Sequence, residues 1–281
     1  MDNDGVFRPT KKENKVFKKA AKEWADGNHK AVTEKYGDIS IWDTSEITDM
    51  SKLFKGKHKF NGDISNWDVS NVTNMLEMFK GAEKFNKPIS KWNVSNVTNM
   101  KGMFENAHAF NQFIGKWDVS KVKNMGYMFS DAYAFNNGQT NNEGTAPLDW
   151  NVSKVTDMFY MFNYAGSFNQ SIEEWDVSEV RDTIDMRTMF TESGYKHPKP
   201  DIELSKKRRE KQTLTGVAIR LANTTPTTNE EYVTKQVLSQ YVDTPKGKKR
   251  PLTNIIGSYV GGKRKSKRKS KKRKTKKSNR K

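Results

Sequence analysis

Cysteine is absent from the 281 residues, which excludes disulfides, thiolate metal ligands and a cysteine nucleophile. Apolar residues are scarce. They make up 33% of the chain and the mean hydropathy is −0.94, too polar for an ordinary globular core of this length. No run comes near the roughly 18 apolar residues of a membrane span. The opening Met1-Asp2-Asn3-Asp4-Gly5 leads into Lys-rich sequence with no signal-peptide core, so the expectation is a soluble, unsecreted, intracellular protein. Histidine occurs four times, at His29, His58, His108 and His197, with no triad or metal-ligand spacing, and no phosphate-binding loop is present. These gaps leave no catalytic, cofactor or metal residue to name, and the expectation is a protein that is not an enzyme.

Acid is missing from one region only. Residues 263–281 hold 14 Lys or Arg and no Asp or Glu, whereas residues 39–193 hold 15 bases and 20 acids. The net charge of +18 therefore belongs to a basic tail on a mildly acidic body, and only the tail asks for a polyanion.

What is abundant is periodic. Trp42, Trp67, Trp92, Trp117, Trp150 and Trp175 follow one another at 25, 25, 25, 33 and 25 residues. Each opens a phrase such as Trp67-Asp68-Val69-Ser70-Asn71-Val72-Thr73-Asn74-Met75, followed by Met78-Phe79, Phe85-Asn86 and Ile89-Ser90. Eleven of the 12 methionines occupy two positions of this unit, so six copies of one supersecondary unit fill residues 39–194. The long interval is a standard unit with eight extra residues in the polar stretch Asn137 to Thr145, and the sixth copy carries three extra around Thr183-Ile184-Asp185. Insertions so confined map to loops on one face.

Within a unit, Met75, Met78, Phe79, Ala82 and Phe85 step by 3, 1, 3 and 3, which predicts one to three helical turns. Ile64 to Trp67 suits a short extended segment, and Ser70-Asn71 a polar corner. Such a unit buries too little alone and must stack on its neighbours. The expected fold is an α/β repeat solenoid. Residues 1–38 read as a helical N-terminal cap, with Val16, Phe17, Ala20, Ala21 and Trp24 at helical spacing over 14–25 and a second helix running to Tyr36. Residues 195–262 read as a linker with room for an amphipathic helix (Thr228 and Glu231 as a capping box, then Tyr232, Val233, Val237 and Tyr241), and a C-terminal cap starts near Tyr195. Residues 263–281 read as a disordered tail.

The phrases Trp67 to Met75 and Met78-Phe79-Lys80-Gly81-Ala82-Glu83-Lys84-Phe85-Asn86 closely resemble the BspA-type leucine-rich-repeat surface proteins, as does the lead-in Tyr36-Gly37-Asp38-Ile39-Ser40. The resemblance covers about residues 20–193. It implies a leucine-rich-repeat-like right-handed superhelix and a role in protein binding or adhesion. Gly261-Gly262 and the tail after it resemble the ends of proteins encoded by large DNA viruses, which motivates the expectation of a viral source.

Four columns of the repeat invite a site. The Asn column (Asn61, Asn86, Asn111, Asn136, Asn169) and the Ser column (Ser45, Ser70, Ser95, Ser120, Ser153, Ser178) read best as hydrogen-bond ladders for backbone groups. After each Trp comes Asp43, Asp68, Asn93, Asp118, Asn151 or Asp176. Acids in file could bind Ca²⁺, but corner capping explains them without a metal. The fourth column varies: Tyr127 and Tyr160 stand where other copies have Lys52, Glu77 and Gly102. With Phe113, Tyr133 and Tyr164 they concentrate aromatics on the fourth and fifth units, a candidate surface for a protein partner. Lys263, Arg264, Lys265, Lys267, Arg268, Lys269, Lys271, Lys272, Arg273 and Lys274 are the candidate polyanion contacts, and with no aromatic among them any nucleic-acid binding would be blind to sequence. The functional expectation is a scaffold that docks a protein partner while its tail tethers to nucleic acid or another polyanion. The alternative is a virion- or chromatin-associated nucleic-acid binder in which the repeats are a folded head.

Overall fold

Backbone groups that find no partner inside their own unit find one in the next, and this organises residues 39–194. In the computed structural model, which describes residues 6–139, 147–181 and 183–222, successive units are joined by single-residue parallel bridges running Asp49–Asn74–Asn99–Asn124–Asp157. Beyond each bridge every second N–H leaves its unit. Met75, Glu77, Phe79 and Gly81 donate to the carbonyls of Asn99, Lys101, Met103 and Glu105 at 2.7–2.9 Å. The same pattern carries Met100, Gly102, Phe104 and Asn106 onto Asn124, Gly126, Met128 and Ser130.

The intervening N–H groups turn back three residues: Met78 to Met75, Lys80 to Glu77, Ala82 to Phe79. This corrects the helix expected over Met75–Phe85. The segment is a chain of tight turns, because Glu77 (φ 51°) and Gly81 (φ 71°) lie in the left-handed region, where an α-helix cannot continue. Gly102 and Asn106 do the same in the next unit. Ile64–Trp67 is likewise a turn, closed by Trp67 N–H on the Ile64 carbonyl (3.2 Å), not an extended segment. Among the described residues, helices occur only in the flanks and in the sixth unit, so the helical part expected of each repeat is absent.

The side chains stack with the backbone. Phe54, Phe79, Phe104, Phe129, Phe162 and Phe190 form one column at 5.4–5.8 Å between ring centroids. Phe60, Phe85, Phe110, Phe135, Phe168 and Tyr195 form a second at 5.6–6.0 Å. The tryptophans are buried, and each indole N–H donates to a carbonyl of the preceding segment: Trp67 to Ile39, Trp92 to Ile64, Trp117 to Ile89, Trp150 to Ile114 and Trp175 to Leu148, at 2.8–3.2 Å. A buried indole needs such an acceptor, and Phe in its place would orphan that carbonyl. Buried methionines fill the gaps between the aromatic columns.

The ends are finished by different chemistry. Helix α1 (Asn14–Ala25) sets Phe17 against Trp42 and Trp67, with Ala20 and Ala21 also buried. Val16, counted in the same apolar stripe from sequence, is exposed. Helix α2 (His29–Tyr36) buries Val32 and stops at Gly37 (φ 73°). Lys18 of α1 pins the first unit through Asp49 (2.7 Å) and the Ser51 carbonyl (3.1 Å). At the other end, α3 (Thr183–Thr188) holds the extra residues of the sixth unit. Its Asp185 carboxylate accepts from Met158 N–H (3.4 Å), replacing the carbonyl that Asp157 offers to Met125. Tyr195 closes the second ring column; burial pushes its phenol up to about 12, and its hydroxyl donates to the Pro198 carbonyl at 2.7 Å.

Helix α4 (Ile202–Ala222) occupies part of the stretch expected as linker. Asp201 caps its start by accepting from Leu204 N–H (2.6 Å), and Ser205 is buried between the Trp175 carbonyl and Val177 N–H, both at 3.3 Å. A turn that finishes the last unit cannot be a free linker. Residues 1–206 form one compact unit and residues 207–281 a second, of which the helical residues to 222 are described. The amphipathic helix expected near 228–241 and the basic tail lie outside the described residues.

Candidate partner-binding face

Left-handed turn positions point a column of side chains away from the buried rings, and their identity is free to vary. In the first of these columns stand Lys52, Glu77, Gly102, Tyr127 and Tyr160, with φ between 51° and 59°. In the second stand Gly56, Gly81, Asn106, Asp131 and Tyr164, with φ between 53° and 71°. A non-glycine residue in this region costs about 1–2 kcal/mol, and a bulky ring is unusual there.

Through the first three units the face is an ion-pair lattice. Glu77 meets Lys55 (2.7 Å), Lys80 (3.6 Å) and Lys52 (3.9 Å), and Lys80 meets Glu105 (2.7 Å). Burial alone would raise the Glu77 carboxyl, but the hydrogen bond and charge of Lys55, with Lys80 and Lys52, hold it below its ordinary value. Burial likewise works against the Lys80 ammonium, and Glu105 and Glu77 outweigh it.

At the fourth and fifth units the lattice gives way to rings. Tyr127 and Tyr160 lie 5.6 Å apart, and Phe159 packs edge-on against both, at 5.6 and 4.2 Å. Lys101 sits 5.8 Å from the Tyr127 ring centre. Burial raises the Tyr127 phenol, and the nearby Tyr160, Glu105 and Asp157 add to it. All three rings remain partly exposed. Sequence reasoning missed Phe159, which stands where other copies have Ser51, Leu76, Lys101 and Gly126; a tally of that column would have found it.

The other aromatics named from sequence do not join this cluster. Tyr133 is exposed and stacks on His108 at 4.7 Å. Phe113 is exposed beside Gly138, where an added Cβ would touch its backbone nitrogen at 3.2 Å. Tyr164 is exposed, and no ring contact links it or Phe113 to Tyr127 among the described residues. The candidate polyanion contacts Lys263 to Lys274 lie outside the described residues.

The polar columns are occupied with backbone work. Each Asn side-chain carbonyl accepts the N–H of the next unit's Asn: Asn61 from Asn86, Asn86 from Asn111, Asn111 from Asn136 and Asn136 from Asn169, at 2.8–3.0 Å. The Asp or Asn after each Trp accepts from the N–H two residues on, Asp68 from Ser70 at 2.8 Å and Asp118 from Ser120 at 3.0 Å. Those bonds from Ser120 hold the Asp118 carboxyl below its usual range. Among the described residues no three His, Asp or Glu side chains converge as a metal site. His58 pairs with Glu83 (2.9 Å), His29 stacks on Trp24 (4.0 Å) and His197 meets the Asn169 carbonyl (3.0 Å). No helix among the described residues is long and apolar enough to cross a membrane.

Comparison with curated proteins gave no match, and comparison with solved structures gave none. The family described as Mycoplasma protein of unknown function, DUF285, matches residues 14–143 and again residues 139–214. Those two matches take in α1, α2, all six repeats and the start of α4, and the chain belongs to this family.

Proposed function

We propose that the chain is a non-enzymatic protein-interaction scaffold. In this reading the repeats wind as a right-handed, leucine-rich-repeat-like solenoid of the BspA type, a partner protein docks on the turn face of the fourth and fifth units, and the basic tail tethers the pair to a polyanion. The observation that carries it is the backbone conformation of Tyr127 and Tyr160. Both rings are held at positive φ and left partly exposed in a column where Gly102 shows that a relaxed residue serves the fold. Strain kept at a surface position supports a binding role more than a packing one. A source in a large DNA virus, suggested by the tail, belongs with the same reading.

The test is a capture experiment with the full chain. Replacing Tyr127, Phe159 and Tyr160 together by Gly, Ser and Gly removes a defined set of captured proteins, whereas Phe113→Ala leaves that set intact. Equal capture by the triple variant and the wild type overturns the aromatic face as the docking site. For the tail, if half its charges meet phosphates, affinity for a random DNA duplex falls roughly 10³–10⁵-fold between 50 and 200 mM salt. Should removal of residues 263–281 abolish every interaction, the nucleic-acid-binding alternative replaces the scaffold.

A further inference from the structure

The asparagine ladder has an open end, and a cavity lies beside it. In five places the N–H at this position is capped by the preceding Asn: Asn86, Asn111, Asn136, Asn169 and, at the C-terminal end, Lys196. Asn61 has no Asn before it, and among the described residues its N–H meets no acceptor. Asn61 lines a cavity of about 410 Å³ between α1, the turn into α2 and the first unit. That volume is within the roughly 300–1,000 Å³ of small-molecule sites.

The walls are made for it. Gly62 stands where later units carry Lys87, Gln112, Asn137 and Gln170; an added Cβ there would lie 2.7 Å from the Trp24 ring and 3.0 Å from Phe60. Trp24, His29 and Phe60 supply the apolar side, with Trp24 4.0 Å from His29 and 6.0 Å from Phe60. The Trp24 indole N–H is buried with no partner, in contrast to the other six indoles, which all donate to carbonyls.

The charge around the cavity favours an anion. Lys59 lines it with no ion-pair partner, and the one acid in the lining, Asp26, is neutralised by Lys57 at 2.5 Å. Gly27 and His29 place it at the start of α2, whose cap residue Asn28 makes no side-chain hydrogen bond to the first turn. Uncapped N–H groups at a helix start favour negative charge.

We propose that this cavity binds a carboxylate carried on a small apolar body, with Lys59 and the unpartnered N–H groups as donors and the Trp24–Phe60 wall as the apolar contact. The test follows the seven indole N–H signals of the ¹⁵N-labelled full chain by NMR, with Trp24→Phe identifying the Trp24 signal. Benzoate, taken to about ten times a dissociation constant near 1 mM, shifts the Trp24 signal and leaves the other six in place. Benzylamine, the same body with opposite charge, leaves all seven. N-acetyl-Gly-Gly-Phe in a parallel titration separates the sources: a shift with the peptide alone assigns the site to a peptide C-terminus, and a shift with benzoate to a free acid. Lys59→Ala, an exposed substitution that leaves the core untouched, weakens benzoate roughly threefold to tenfold. A Trp24 signal that stays put with both acids, or moves as far with benzylamine, overturns the proposal. So does benzoate binding unchanged in Lys59→Ala.

Discussion

Replacing the ladder asparagines one at a time by alanine separates a hydrogen-bond column from a decorated surface. Asn136 is 3% exposed; its side-chain carbonyl accepts Asn169 N–H at 3.0 Å and the Gln170 amide at 2.9 Å, and Gln170 is itself 4% exposed. Asn136→Ala removes both acceptor contacts and leaves donors with restricted access to water. A net bond contributes about 1 kcal/mol, and an orphaned buried donor costs about 1–3, so the expected loss is roughly 2–4 kcal/mol. Asn61 is exposed and accepts a single bond, from the N–H of an equally exposed Asn86, so Asn61→Ala costs under about 1 kcal/mol because water takes over. Urea denaturation followed by tryptophan fluorescence measures both, with the midpoint compared at unchanged slope. A cost for Asn61→Ala equal to that for Asn136→Ala, or an Asn136→Ala midpoint at the wild-type value, refutes the assignment of the column to backbone satisfaction.

Two more outcomes are expected. Burial works against the Asp49 carboxylate, but the hydrogen bonds from Lys18 and Ser51 outweigh it and hold its pKa below the ordinary Asp value. The folded pKa is thus the lower one; its contribution is full above the unfolded value near 3.9 and fades as pH falls through the folded one. Asp49→Asn, which copies the residue of the next three units, therefore lowers the urea midpoint at neutral pH. The gap to wild type closes as pH is taken below the ordinary Asp range, and it narrows in high salt. Gly115→Ala places a Cβ 2.3 Å from the Pro147 carbonyl oxygen and costs about 1–3 kcal/mol in thermal unfolding, whereas Gly166→Ala, with nothing within 4 Å, costs far less.

Much of the repeat is legible in its residues, and the errors have physical causes. Glu77 and Tyr127 carry no mark of positive φ, so the 3, 1, 3, 3 spacing around Met78 and Phe79 imitates a helix. The glycines that share those columns, Gly56, Gly81 and Gly102, are the signal that favours turns over helix. Lys206 to Arg209 look like linker composition, yet Ser205 and Ile202 beside them are buried against the last unit. Phe159 joins Tyr127 across 32 residues because the eight-residue insertion does not interrupt the hydrogen bonds from Tyr127 to Phe159 and from Phe129 to Met161.

By itself the sequence determined the period, the residues that recur in each column, the site of the insertions and the separation of charge between body and tail. Those are properties of a one-dimensional pattern, readable because each unit repeats its neighbour's chemistry. Only the tertiary structure decided which way each N–H turns, where Trp24 lodges over Gly62 and which tyrosines meet. A donor three residues from one acceptor and twenty-four from another is assigned by which carbonyl lies within 3 Å once the units are side by side.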